Sequence, residues 1–164
     1  MRPLLLTGPP AAGKSTTARV LADSRPVAAM IDVDDIRQLV VAGHAAPWDG
    51  EAGLRQQHLG VENACDLARR FARSGIEVLI ADVLTPRTAE LYRARLPSVL
   101  IVQLRISLAE ARRRAAMRPV YLTHDEFELL HREQPADAEL YDAVVDVDGL
   151  DLAAQAAAVR GVWS

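Results

Sequence analysis

Short runs of consecutive apolar residues alternate along the chain with longer segments in which apolar side chains recur every three or four positions. The short runs are Leu4–Thr7, Val27–Ile31, Val78–Ala81, Val99–Leu104 and Val144–Val147. Continuous apolar stretches of this length read as strands buried on both faces. The periodic segments predict helices over 14–23, 34–42, 52–73, 87–95, 108–117, 124–132 and 151–160. In the longest of them Leu54, Val61, Ala64, Cys65, Ala68 and Phe71 form one apolar stripe. Local start signals agree with these bounds. Ser107 with Glu110 and Thr123 with Glu126 have capping-box spacing, and Thr85 stands as a cap before the first-turn proline Pro86. Buried strands separated by helices predict an α/β fold: a parallel sheet of five strands with helices on both faces. No internal repeat or linker divides the sequence, so one domain spanning 1–164 is expected.

Composition narrows the classes. The 164 residues are half hydrophobic, enough for one proper core. No apolar stretch approaches the roughly 18 residues a membrane span requires. The opening MRPLLLTGPP lacks the longer apolar region and cleavage site of a secretory signal and reads as the first strand. The single cysteine, Cys65, excludes an intramolecular disulfide and suits a cytoplasmic protein. Four scattered histidines offer no metal-ligand spacing. A net charge of −3 disfavours nucleic acid as the main partner. Oligomeric state is not legible. Of the 19 basic residues, 18 are arginine and one, Lys14, is lysine. In a chain that uses arginine wherever arginine serves, the exception marks a place where it does not.

Lys14 lies in GPPAAGKST, which follows the first strand and opens the first helix. The stretch fits G-x-x-x-x-G-K-[ST], the phosphate-cradling P-loop, in its required strand–loop–helix context. Backbone N–H groups and the helix N-terminus converge on phosphate oxygens. The nucleotide-binding segment runs from Gly8 through Pro9, Pro10, Ala11 and Ala12 to Gly13, Lys14, Ser15 and Thr16. Ser15 supplies a hydroxyl to Mg2+, and Lys14 reaches the β and γ phosphates as a compact ammonium that arginine's planar fork would replace poorly. Bound ATP with Mg2+ is therefore expected. A guanine-reading N-K-x-D motif requires a second lysine, which is absent. Mechanical ATPases usually end a buried strand in D-E, whereas VLIADV has Val83 at the glutamate position. Both departures favour transfer to an acceptor other than water.

The second strand runs into DVDDIRQ, three aspartates within four positions. In an open α/β sheet this strand end lies on the same edge as the P-loop. Asp32 and Asp34 are two apart and share a side if the strand continues. A carboxylate facing the γ-phosphate can orient an acceptor hydroxyl and take its proton, which assigns that role to Asp34. Asp32 is placed to hold Mg2+ through water. Asp35 is assigned to the start of the next helix, where the dipole favours an acid.

GPPAAGKST, DVDDIRQ, VLIADV and EARRRAAMRP, taken in order, resemble the P-loop kinases that phosphorylate hydroxyls. That group includes polynucleotide 5′-kinases, shikimate and gluconate kinases, zeta-toxin-like kinases and chloramphenicol phosphotransferase. The resemblance implies a three-layer fold with a short lid at about 118–123. In the 5′-kinase pattern D-D-x-R, Asp34 matches the general base and Arg37 a substrate contact. In the shikimate-kinase pattern D-x-D, Asp32 matches the Mg2+ position and Asp34 the substrate position. By the same resemblance Asp82 lies near Mg2+ and acceptor, and Arg114 and Arg118 are lid arginines that neutralise charge on the transferred phosphoryl. Trp48, in the loop AGHAAPWDGEAG, is placed to stack on the acceptor or to plug a crevice, and DVDGLD at 146–151 passes the adenine. The function this implies is transfer of the γ-phosphoryl of ATP to a hydroxyl of a small molecule, a metabolite or antibiotic. The alternatives are a nucleoside or polynucleotide 5′-hydroxyl kinase, and a nucleotide-binding switch or weak NTPase.

Overall fold

Three leucines open the first strand, β1 (Leu4–Thr7), and all three are fully buried. Successive strand side chains point to opposite faces, so Leu4 and Leu6 enter one core layer and Leu5 the other. The computed structural model describes residues 2–117, 122–135 and 138–163. After β1 come α1 (Lys14–Asp23), β2 (Ala28–Asp32), α2 (Val33–Gln38), α3 (Gly50–Arg73), β3 (Glu77–Ala81) and α4 (Pro86–Arg95). The chain continues through β4 (Leu100–Arg105), α5 (Leu108–Ala115), α6 (His124–Arg132), β5 (Ala143–Asp146) and α7 (Leu152–Trp163), with a 3-10 turn at Ala138–Leu140 before β5.

The strands form one parallel sheet in the order β2-β3-β1-β4-β5. Helices α1 and α7, with Ala111 of α5 and Phe127 of α6, cover the face that receives Leu4 and Leu6. Helices α3 and α4 cover the other, through Val61, Ala64, Cys65, Ala68, Ala89 and Tyr92. Each leucine buried completely in this way contributes about 1.5–3 kcal/mol relative to exposure. The chain leaves β1 toward β2 on one side and later returns to β4 on the other. The carboxyl end of β1 is therefore the topological switch point, where a crevice opens and ligands bind in such sheets. Among the described residues no helix is long and apolar enough to cross a membrane.

All five strands and seven helices expected from the pattern are present, with shifted ends. Helix α2 stops at Gln38 rather than reaching residue 42, because Leu39 and Val41 are exposed, at 77% and 91%, and have nothing to pack against. The stripe expected on α3 begins one turn later than its pattern suggests: Leu54 is 41% exposed, and Gly53 and Gln57 take the buried side. Thr85 and Thr123 form capping boxes, with Thr88 and Glu126 respectively. Ser107 caps the Glu110 N–H, but the Glu110 carboxylate turns to Arg113 and Arg114 instead of returning to the cap.

Candidate active site

Two glycines shape the loop after β1. Gly8 has φ 146°, and a Cβ there would stand 2.5 Å from the Leu104 carbonyl oxygen of β4, so the loop leaves the sheet in contact with its neighbour. Gly13, in the left-handed region at φ 87°, caps α1, where a Cβ would come within 2.9 Å of the Gln155 amide nitrogen. Ala11 is also left-handed, at φ 65°. The Lys14 ammonium donates to the carbonyls of Gly8 (2.9 Å) and Pro9 (3.1 Å), which folds the side chain across the loop. Burial pulls the Lys14 pKa down, and the carboxylates of Asp34, Asp82 and Asp32 oppose that shift. All three acids therefore act on the one lysine.

The strand β2 ends at Asp32, which is the N-cap of α2. One carboxylate oxygen accepts from the Asp34 N–H at 3.1 Å, and the other accepts from the Ser15 hydroxyl at 2.5 Å. The strand does not continue to Asp34, so Asp32 and Asp34 do not share a strand face. Asp34 instead occupies the first turn of α2 beside Asp35, and its side chain is 67% exposed. One nitrogen of Arg37 donates to Asp34 at 3.0 Å, and the other reaches Asp82 at 3.0 Å. Arg37 rests against Gly60 of α3, where a Cβ would be 3.0 Å from its Cγ, and its Nε is buried without a partner.

Asp82, expected near Mg2+ and acceptor, has a wholly buried side chain. It accepts from the Tyr92 hydroxyl at 2.8 Å and from the Val83 N–H at 2.8 Å. Burial raises its pKa, against the Arg37 charge and the Tyr92 hydrogen bond. Asp82 thus supports Arg37, and Arg37 pairs with Asp34. Tyr92 was invisible as a functional residue because on a sequence stripe it reads as core.

Arg114 lines the same cavity as Lys14, Ser15 and Thr16. Its Nη2 donates to the carbonyls of Val147 (2.6 Å) and Leu150 (3.1 Å), its Nη1 to Gln155 (3.1 Å) and its Nε to Glu110 (2.9 Å). These bonds tie the guanidinium to the β5–α7 connection. Gln155, 2% exposed, completes the frame by donating to the Ala12 carbonyl and the Thr17 hydroxyl, both at 2.8 Å. Its signal in the sequence was a single amide in the alanine-rich helix LAAQAAAV. Between these parts opens a cavity of about 480 Å3, running from Lys14, Ser15 and Thr16 past Arg114 to Leu150 and Met117. His131 of α6 donates from Nε2 to the Pro10 carbonyl at 3.0 Å, joining that helix to the loop. Trp48 is 45% exposed and lies between α2 and α3. Arg118 and most of the expected lid lie outside the described residues.

A hydroxyl and a carboxylate meeting at a helix N-terminus form a hard-oxygen pair suited to a cation such as Mg2+. Among the described residues no group of three or more His, Cys, Asp or Glu side chains forms a metal cage. A divalent ion here would share its coordination between Ser15, water held by Asp32, and phosphate oxygens.

No protein-family model matches the sequence, and no curated protein does. The three-dimensional likeness is extensive. A sugar kinase from Janibacter sp. HTCC2649 superposes with a TM-score of 0.77 at 15% identity, covering 99% of this chain and 93% of that one. The APS kinase of Mycobacterium tuberculosis, solved with AMPPNP and APS, gives 0.72 at 15% identity, with 99% and 98% covered. Shikimate kinase from Bacteroides thetaiotaomicron gives 0.69 at 16% identity, with 99% and 98% covered. The fold is that of the P-loop kinases: a five-stranded parallel sheet with helices on both faces.

Proposed function

We propose that the protein is an ATP-dependent phosphotransferase that moves the γ-phosphoryl group to a hydroxyl of a small-molecule acceptor, a metabolite or an antibiotic, with Asp34 as general base. The observation that carries this reading is the exposed Asp34 carboxylate, held by Arg37 and acting on the P-loop lysine. A buried carboxylate would serve structure. A solvent-facing one fixed by an arginine beside the phosphate loop is placed to meet an incoming hydroxyl. The likeness to solved sugar, shikimate and APS kinases supports small-molecule phosphorylation over other uses of a P-loop.

In this reading the loop from Gly8 to Thr16 holds the phosphates, and Lys14 moves from the loop carbonyls to phosphate oxygens. Mg2+ would rest on Ser15 and, through water, on Asp32, and supplies positive charge to the phosphates. Asp34 accepts the proton of the attacking hydroxyl. Arg37 fixes that carboxylate and lowers the cost of its charge, with Asp82 and Tyr92 holding Arg37 from below. Arg114, which lines the cavity with Lys14 and is braced by Gln155, and Arg118 would neutralise charge on the transferred group. Trp48 offers a face for the acceptor to stack on.

The alternative, a 5′-hydroxyl kinase of nucleosides or polynucleotides, retains the Asp34–Arg37 pair but meets an acidic protein and an arginine already occupied. An ADP-release assay separates the readings when run with ATP alone, with small hydroxylated metabolites and antibiotics, and with a 5′-hydroxyl oligonucleotide. The proposal expects slow turnover alone and strong stimulation by one small acceptor. Stimulation by the oligonucleotide only would favour the alternative, and no stimulation would leave a switch or weak NTPase.

A further inference from the structure

The loop between β1 and α1 is short of donors. Pro9 and Pro10 carry no N–H, and the Ala12 N–H is taken by the Pro9 carbonyl at 3.2 Å. Over residues 9–13 this leaves the N–H groups of Ala11 and Gly13 to meet an anion. Both residues are left-handed, at φ 65° and 87°, and both line the cavity, whereas Ala12 is fully buried. Backbone of this kind turns neighbouring N–H groups into an anion-binding concavity. Glycine adopts the conformation freely, but alanine keeps it only where its surroundings enforce it.

A trans peptide is planar, with its C=O and N–H pointing in opposite directions. The Pro10 carbonyl therefore sets the direction of the Ala11 N–H, and the Ala12 carbonyl that of the Gly13 N–H. Each of these two carbonyls accepts from a side chain outside the loop. Pro10 accepts from His131 Nε2 at 3.0 Å, and Ala12 from Gln155 Nε2 at 2.8 Å. The Gly8 and Pro9 carbonyls accept instead from Lys14, which bound phosphates would draw away. His131 and Gln155 are then the two side chains that still hold loop carbonyls when a nucleotide is bound.

His131 is itself well fixed. It lies in the last turn of α6, four residues after Phe127, and the two rings are in contact with centroids 4.8 Å apart. Phe127 is buried in the core layer that receives Leu4 and Leu6, and Glu128 pairs with Arg112 of α5. The described residues that line the cavity include none of α6. His131 therefore acts on the phosphate site through the Pro10–Ala11 peptide and not by touching the ligand.

We propose that His131 is a positioning residue for the nucleotide phosphates: its hydrogen bond to the Pro10 carbonyl aims the Ala11 N–H at them. The proposal rests on the nucleotide-binding part of the reading above. The test titrates Mg·ADP and Mg·ATP calorimetrically into wild type and three variants, and follows the Ala11 amide in proton–nitrogen correlation spectra. His131→Phe keeps a ring against Phe127 but has no donor, and His131→Leu lacks the donor with less bulk. His131→Gln carries an amide nitrogen the same number of bonds from Cβ as Nε2. In wild type the Ala11 amide proton should move downfield as Mg·ADP binds, the signature of a new hydrogen bond to phosphate. His131→Phe and His131→Leu should lose most of that movement and raise both Kd values about fivefold, the order of one neutral hydrogen bond. His131→Gln should restore both. A wild-type Ala11 amide that stays in place as Mg·ADP binds overturns the proposal, whether or not any variant folds. So does an unchanged Kd in whichever of His131→Phe and His131→Leu folds. A loss that His131→Gln does not restore makes His131 a packing residue of α6 and overturns it too. In those cases the nucleotide still binds and the P-loop reading stands. A wild-type protein that binds neither nucleotide removes that reading and the proposal with it.

Discussion

On the nucleotide side of the site, Gln155 and Arg114 commit all their side-chain polar groups to neighbours: the loop at Ala12, the first turn of α1 at Thr17, the carbonyls of Val147 and Leu150, and Glu110. Around α2, Arg37 keeps a buried Nε without a partner among the described residues, and Asp34 is 67% exposed. Leu39 and Val41, just beyond α2, are the kind of apolar side chains that the nucleotide side buries. The first region is a finished frame, complete before any ligand binds. The second is braced by Arg37 on Asp82, which Tyr92 supports, by the Asp32 cap of α2 and by Gln56 on the loop. It leaves the Asp34 carboxylate facing solvent. A site that handles a phosphate common to many enzymes can be built from backbone and closed networks. A site that discriminates an acceptor needs unpaired groups for that acceptor to satisfy.

The largest effect expected on the finished side is from Lys14→Ala. It removes the cation aimed at the phosphates, and kcat should fall by roughly 10²–10³-fold, the cost of deleting one preorganised electrostatic contact. Circular dichroism should stay native, because the ammonium's partners are two carbonyls of the loop itself. Near-normal turnover would remove the P-loop from the mechanism. On the open side, Asp82→Asn should destabilise by about 1–3 kcal/mol, as expected when a buried hydrogen-bonded charge loses its match. It should also slow transfer, because Arg37 no longer holds Asp34. Denaturant midpoints together with kcat test this. Full stability with full activity would mean that Asp82 supports nothing.

Gln155→Leu should cost a similar about 1–3 kcal/mol by leaving the Ala12 carbonyl and Thr17 hydroxyl unpaired. It should raise the KM for ATP and leave the acceptor KM alone. If both parameters shift together, the two sides are not separable as drawn. The smallest effect is a pH dependence. Hydrogen bonds from Arg113 and Arg114 hold Glu110 down to about 2, below its ordinary 4.5. A carboxylate whose folded pKa is depressed stabilises the protein above the unfolded value and loses that contribution as pH falls through the folded one. The Tm difference between wild type and Glu110→Gln should therefore be full near neutrality and shrink between about 4.5 and about 2. A difference that is constant over that window would leave the carboxylate charge without a role.

The nucleotide side was largely legible in the sequence because its rules are local. Glycine spacing, the lone lysine and the strand–loop–helix order all fall within a short stretch, and the strands declared themselves by apolar runs. What was not legible depends on contacts between distant segments. Asp82 meets Arg37 across 45 residues of chain with Tyr92 bonded to it, and Arg114 meets Leu150 across 36. A strand-end aspartate looks the same in sequence whether it faces solvent or lies under an arginine. Likewise Leu54 fits the apolar stripe of α3 as well as Gln57 breaks it, and only the close approach of Ala46 and Arg37 to Gly53 and Gly60 decides which one is buried. The end of α2 was overrun for a related reason: Leu39 and Val41 continue an apolar pattern but are exposed.

The central claim is that Asp34 takes the acceptor proton, and the most direct measurement is kcat of Asp34→Asn at saturating ATP and acceptor, set beside Asp35→Asn and Asp32→Asn. Asparagine keeps the size and can still meet Arg37, but it loses the charge and the basicity. The account predicts a fall of roughly 10²–10⁴-fold for Asp34→Asn, the usual worth of a positioned acid–base group, with the KM for ATP nearly unchanged. Asp35→Asn should stay near wild type, since only a helix-dipole interaction of about 0.3–1 kcal/mol is at stake. Asp32→Asn, which keeps the N-cap but loses the charge at Ser15, should fall between and recover in part at high Mg2+. An active Asp34→Asn enzyme beside an inactive Asp35→Asn enzyme would contradict the account, as would three variants of equal activity.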